Sequence, residues 1–196
     1  ARLQAVGIAL EKGDPHLSEI LDAVKEREDQ GYAYDSAEAS FELVARGILG
    51  TLPNYFDVER YRVISERRRN AKGRIVVESE AMVTVRYPDG VEKTSFFKNE
   101  HPQEMSDDGP VNAIWLALQA DLGPYQASIE PVKLTDFKVR ITQGGIEAVT
   151  RVIIDFTDGE KRWSTVGVSS NIVDASFAAL LDALVWKLLD DGVRPA

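Results

Sequence analysis

The stretch FTDGEKRWSTVGVSSN (156–171) reads as the end of a strand, an Asp-Gly turn and a returning strand, and it leads into a long apolar run. A looser copy of its opening, YPDGVEKTSFFKN, stands at 87–99, and the two Asp-Gly turns are 69 residues apart. Repetition at that spacing points to a duplicated supersecondary unit. Each copy has the same surroundings. In the first, Ile75, Val77, Ala81, Val83, Val85 and Tyr87 alternate with Glu78, Glu80, Thr84 and Arg86, the pattern of a strand with one buried face. VERYRVISE precedes it as another strand, and Gly109-Pro110 opens a helix carrying Val111, Ile114, Trp115, Leu118 and Leu122 on one side.

In the second copy KLTDFKVRIT is a strand and Gly144-Gly145 a tight turn. Ala148, Thr150, Val152, Ile154 and Phe156 then alternate with Glu147, Arg151 and Asp155, and KRWSTVGVS returns. Phe177, Leu181, Leu184, Val185 and Leu188 give the closing helix its expected buried stripe. The order βββα occurs twice, predicting an α+β fold of two βββα units related by a pseudo-twofold. Neither unit closes its core well alone, and the exposed groove or edge of such a pair is a place for a second copy to dock.

Residues 1–57 differ in period. Asp14-Pro15 is an N-cap followed by Pro at the first helical position, and Leu17, Ile20, Leu21 and Val24 recur at helical spacing up to Gly31. DSAEASFELVARGILG predicts a second helix with Asp35 as cap, Glu38 three residues on, and Ala37, Phe41, Val44 and Ile48 on one face. The expected organisation is a small helical subdomain (1–57) and a larger domain of the two βββα units (58–196), the latter divided at 125/126.

Composition narrows the function. The chain has 196 residues, 44% hydrophobic and 28% charged, with Lys+Arg 23 against Asp+Glu 32 and a net charge of −9. Such a charge repels phosphate backbones, so nucleic acid is not expected as a partner. With no cysteine there is no disulfide frame, thiolate nucleophile or Cys-ligated zinc, which fits a cytoplasmic protein. No apolar run approaches the roughly 20 residues that span a bilayer, so no membrane partner is expected. The first residues lack the order of a signal peptide, and the missing initiator Met suggests a piece of a longer chain.

Phosphate loops, metal-ligand spacings and nucleophile elbows are absent from the sequence, and His16 and His101 are far apart and read as solvated loop or helix-start residues. ERRRN (66–70) reads as a solvated charge run, and KNEHPQEMSDDG (98–109) as a surface loop matching no calcium pattern. SDDGPVNA is more informative. Backbone N–H groups of Val111 and Asn112 at a helix start could receive a carboxylate, and Asp107 or Asp108 could hold an ammonium, which suits a free aliphatic amino acid. The competing reading is plain N-capping by Asp108.

Taken together, GYAYDSAEASFELVAR, YFDVERYRVISE, DGPVNAIWLAL, KLTDFKVRI and DGEKRWSTVGVSSNIVDASFAALLDALVWKLL resemble, in order, the C-terminal half of the 2-isopropylmalate, homocitrate and citramalate synthase family, nearest to the citramalate branch. The resemblance implies a parent acyltransferase in which an N-terminal TIM barrel condenses acetyl-CoA with an α-keto acid at a divalent metal. It implies linker subdomains and a C-terminal domain that forms a homodimer and binds an end-product amino acid, leucine or isoleucine. The barrel's Arg-Asp-Gly opening and His-x-His motif are not in this chain, so no catalytic residues, metal or cofactor are expected in it. Carried over by pattern, the effector site comprises Asp107, Asp108, Gly109, Pro110, Val111 and Asn112 for the charged groups, with Leu134, Phe137, Ile141, Ile146 and Ala148 as walls. Relatives often have Tyr where Phe137 stands, which removes any hydroxyl contact there. The step from 134 to 137 is odd for one strand face and calls for a bulge or an interface position. Tyr32 or Tyr34 is a candidate to reach the barrel of the intact enzyme. A dimerisation module without an effector is the alternative, and an independent enzyme would need a cluster of titratable residues that the sequence does not supply.

Overall fold

The computed structural model describes residues 2–102, 109–143 and 148–196. Its elements run α1 (Arg2–Ala5), α2 (Pro15–Asp29), α3 (Glu38–Ile48), β1 (Asp57–Arg69), β2 (Ile75–Arg86), β3 (Glu92–Pro102), α4 (Pro110–Ala120), a 3₁₀ turn (Gly123–Tyr125), α5 (Gln126–Ile129), β4 (Lys133–Gln143), β5 (Val149–Thr157), β6 (Arg162–Ser169) and α6 (Ile172–Asp190). Two three-stranded antiparallel sheets, β1-β2-β3 and β4-β5-β6, are each followed by a helix, as the duplicated pattern predicts. The chain divides into two compact units.

Unit 2 holds residues 54–130 and 194–196. Its sheet buries Ala81, Val83 and Val85 of β2, and α4 lies across it with Ala113, Ile114, Trp115, Ala117 and Leu118 buried. Ile114, Trp115 and Leu118 of the predicted face are thus buried, Leu122 is buried just beyond the helix end, and Val111 is half buried. Tyr125 closes this core edge-on to Tyr55 and Tyr87, with ring centroids 5.6 and 5.9 Å away, and donates its hydroxyl to the Tyr55 carbonyl at 3.0 Å. The Asp89-Gly90 turn is local: Asp89 Oδ1 accepts from Val91 N–H at 2.9 Å, and Gly90 takes φ +86°.

Unit 1 joins residues 1–53 to 131–193. The helical segment thus forms one body with the second sheet. Ile20, Val24, Tyr34, Phe41 and Ala45 build a core with Val166 of β6, against which Ile153 and Val168 also lie. Cross-strand pairing puts Ile153 opposite Val166, and Val152, Ile154 and Phe156 opposite Gly167, Thr165 and Trp163. The first row faces the helical segment. The second faces α6, where the Thr165 hydroxyl donates to the Ala179 carbonyl at 2.7 Å. A sheet buried on both sides needs apolar residues in both rows, which is why β5 carries Ile153 out of its expected alternation.

Two expectations are corrected here. Asp35 does not cap α3: the N-cap is Ala37, without a side-chain hydrogen bond, and Asp35 has a 96% exposed side chain 3.4 Å from Arg2. Burial of Ala37 in the core decides where that helix starts. On α6 the sheet-facing stripe is Ala175, Ala179, Leu180, Ala183, Leu184 and Leu188, whereas Phe177, Leu181 and Val185 are only half buried. Small residues face the sheet because strand and helix backbones meet closely at Gly167. By contrast Asp14 caps α2 as predicted, accepting from His16 N–H at 2.9 Å.

Candidate functional site

The residues singled out in the sequence fall on both units, and Asp107, Asp108 and Ile146 lie outside the described residues. On unit 2, Gly109 is the N-cap of α4 with no side chain to offer, and Pro110 occupies the first helical position. The cap is thus one residue later than the Asp108 capping reading has it. Val111 and Asn112 follow in the first turn, half buried, where backbone N–H groups and the helix dipole favour an anion.

On unit 1 the odd step along β4 resolves as anticipated. The register slips between Leu134 and Asp136, so Leu134 pairs with Phe156, Phe137 with Ile154, Val139 with Val152 and Ile141 with Thr150. The bulge brings Leu134, Phe137 and Ile141 onto one face. Val139, which the sequence reading passed over, belongs to the same row. Ile141 is 70% exposed and Val139 39%, so the row emerges from the core along the strand. Ala148 precedes β5 and is half buried. Tyr34 is wholly buried in its own unit, stacked 5.9 Å from Tyr32, which leaves Tyr32 as the one of the pair with exposed surface.

Sequence reasoning missed a polar cluster between α3, β6 and α6 of unit 1. The Val166 N–H of edge strand β6 donates to Ser40 Oγ at 3.0 Å, and the Ser40 hydroxyl donates to Asp182 Oδ2 at 2.6 Å. Ser40 therefore satisfies an edge-strand donor that would otherwise be buried unpaired. Burial pushes the Asp182 carboxyl up to about 6, opposed by the Ser40 hydrogen bond and by the charge of Arg27. Beside Asp182 opens a recess of about 350 Å³ whose walls include Arg27, Leu43, Val44, Ile48 and Leu52. Periodicity could not reveal the cluster, since an Asp on an apolar helix face and a Ser inside AEASF each read as ordinary exposed positions.

Asp182 holds its proton more tightly folded than unfolded. Its ionisation therefore costs nothing below about pH 4 and destabilises fully above about pH 6. Asp182→Asn keeps an acceptor for Ser40 and removes that cost. It is expected to stabilise by about 2 kcal/mol, or about 5 °C, at pH 7.5, with the gain vanishing at pH 4 in paired thermal melts.

A second missed cluster ties the Asp158-Gly159 turn to α6. Asp158 Oδ1 accepts from Glu160 and Lys161 N–H at 2.9 and 2.7 Å, and Lys187 Nζ donates to Asp158 Oδ2 and Asp191 Oδ1 at 2.7 Å each. The backbone N–H of Lys161 and then Lys187 hold the Asp158 carboxyl well below the usual range. Among the described residues no group of three or more His, Asp or Glu could hold a metal ion, and no helix is long and apolar enough to cross a membrane.

Residues 35–188 match the model of the LeuA allosteric (dimerisation) domain family. The chain is 37% identical over 192 residues to an (R)-citramalate synthase of Aquifex aeolicus, covering 97% of the chain and 34% of that protein. It is 40% identical over 190 residues to an (R)-citramalate synthase of Geobacter sulfurreducens, covering 96% and 34%. A 2-isopropylmalate synthase of Acidimicrobium ferrooxidans is 31% identical over 182 residues, 93% of the chain and 30% of that protein. The chain thus spans about a third of the length of the citramalate synthases it matches.

Proposed function

The chain belongs to the LeuA allosteric (dimerisation) domain family, and from that premise we propose that it senses a branched-chain amino acid, isoleucine or leucine, for feedback inhibition of a parent acyltransferase. The parent is a cytoplasmic citramalate or 2-isopropylmalate synthase, whose condensation of acetyl-CoA with an α-keto acid at a divalent metal belongs to a TIM barrel elsewhere in the longer chain. The high identity to citramalate synthases along nearly the whole of this chain is the observation that carries the reading. Within the family resemblance, the citramalate branch implies isoleucine rather than leucine.

The mechanism assigned is a population shift. A homodimer of this domain holds the effector; the family resemblance assigns Asp107, Asp108 and the start of α4 to its charged groups, and Leu134, Phe137, Ile141, Ile146 and Ala148 to its hydrocarbon side chain. The start of α4 is fitted to an anion by dipole and orientation, Asp107 or Asp108 to an ammonium by charge, and the β4 row to a hydrocarbon by being apolar and open. Binding that favours one dimer arrangement over another is transmitted through the helical segment, and couplings of this kind are about 1–3 kcal/mol, or about 5- to 150-fold in affinity.

Thermal unfolding with isoleucine, leucine, valine and lysine tests the reading. At 100 times its dissociation constant an effector adds about 2.7 kcal/mol, expected to raise the midpoint by about 5–10 °C. A selective rise with isoleucine supports a citramalate synthase sensor, and one with leucine an isopropylmalate synthase sensor. Asp108→Ala should abolish the selective part of the response and leave the dimer intact. A dimer that responds to none of the four is a structural module with no effector.

A further inference from the structure

The recess beside Asp182 lies wholly within unit 1, between α2, α3 and α6, and the effector reading above makes no use of it. Its walls are aliphatic: Leu43, Val44 and Ile48 of α3 and Leu52 just after it. Two side chains of opposite charge border it, Asp182 from α6 and Arg27 from α2. They act on each other electrostatically, yet among the described residues neither forms an ion pair within 4.0 Å, with the other or with any third group. Arg27 is steadied from behind, its guanidinium 5.5 Å from the centre of the Tyr32 ring. Asp182 Oδ2 accepts from Ser40, while Oδ1 accepts from no described residue, so a carboxylate with about four acceptor sites uses one of them.

We propose that this recess binds a short aliphatic zwitterion, an α-amino acid with a hydrocarbon side chain, its ammonium on Asp182 and its carboxylate on Arg27. A simple amine would meet the repulsion of Arg27, and a simple carboxylic acid that of Asp182. A zwitterion satisfies both at once, and a polar tail would lose hydration against the aliphatic walls without replacement. The cavity lies within the range of about 300–1,000 Å³ usual for small-molecule sites. The cost of Asp182 argues the same way. An asparagine would hold Ser40 equally well without ionising in an apolar setting, so the charge itself has a use beyond the fold.

The test is a site-resolved amide NMR titration of the intact 196-residue chain with L-leucine, and separately with 3-methylbutylamine and 4-methylpentanoate, which keep its hydrocarbon chain and carry one charge each. Saturable shifts at Ser40, Leu43, Val44, Ile48 and Asp182 are expected with leucine, with each half-ligand at least about tenfold weaker. Asp182→Asn and Arg27→Gln should each weaken leucine binding here by about tenfold or more. Because Asp182→Asn is expected to be the more stable protein, lost binding in it cannot be put down to misfolding. No leucine-dependent shift at these amides, or equal binding by the half-ligands or by Asp182→Asn, would overturn the proposal. Shifts at 109–112 and 134–141 report separately on the effector reading, so either can fail while the other stands.

Discussion

Gly167→Ala is expected to cost about 4 kcal/mol, because among the described glycines its added β-carbon meets the closest backbone contact. A β-carbon at Gly167 would overlap the carbonyl oxygen of Ala175 and lie 2.9 Å from its carbon and 3.0 Å from the Ala179 nitrogen. All three are backbone atoms of α6, so no rotamer change relieves the clash; the helix must lift off the sheet. Lifting it also breaks the bond from Thr165 to the Ala179 carbonyl and opens the layer of Ala175, Ala179 and Ala183. Ordinary overpacking costs about 1–3 kcal/mol, and a clash of backbone against backbone lies beyond that range. Urea unfolding followed by circular dichroism measures it, and Gly47→Ala is the control. A β-carbon at Gly47 meets nothing within 4 Å on a helix, so that substitution should stabilise by about 0.5–1 kcal/mol.

Lys187→Met is expected to destabilise by about 3 kcal/mol. The side chains of Lys187 and Asp158 are only 8% and 9% exposed, and removing the ammonium leaves a buried carboxylate whose second oxygen has lost its donor. Asp158→Asn in the same chain removes that stranded charge and should recover a large part of the loss, which a double-mutant cycle reads directly. The sign with pH follows from the depressed Asp158 carboxyl. Its contribution is present above the ordinary carboxylate range and is lost as pH falls below about 4, so the difference between wild type and Lys187→Met should shrink in acid. The turn at Asp89-Gly90 offers a contrast within the molecule. Asp89 serves its own turn alone, and Asp89→Ala is correspondingly a small change.

The repeated βββα order was legible because both copies end a clean alternation on an Asp-Gly turn, and because Gly109-Pro110 marks a helix start by local chemistry; the cap of α6, Asn171, was passed over. Asn171 accepts from Val173 N–H at 2.8 Å. Where local chemistry yields to packing, the reading slipped. The DSAE sequence has the letters of a capping box, yet Ala37, buried in the core, starts the helix. On α6 the larger apolar residues drew the stripe, whereas the sheet accepts only alanines opposite Gly167. Grouping of the helical segment with the second sheet depends on Ser40, Phe41 and Val166 meeting across more than 120 residues, a contact no periodicity encodes. Of the candidate site, the bulge that aligns Leu134 with Phe137 was anticipated from an irregular spacing. Ile141 was named among the site's walls, whereas Val139 was passed over because a valine in a strand reads as core.

Calorimetric titration of the Asp182→Asn chain, in which the recess of unit 1 no longer competes, with isoleucine and leucine, on protein whose dimeric state has been fixed by sedimentation, tests the regulatory reading most directly. Saturable binding of one of the two, at least about tenfold tighter than the other and lost in Asp108→Ala, is the predicted result. A dimer that takes up neither amino acid would contradict it and leave a module that assembles the parent enzyme without sensing its product.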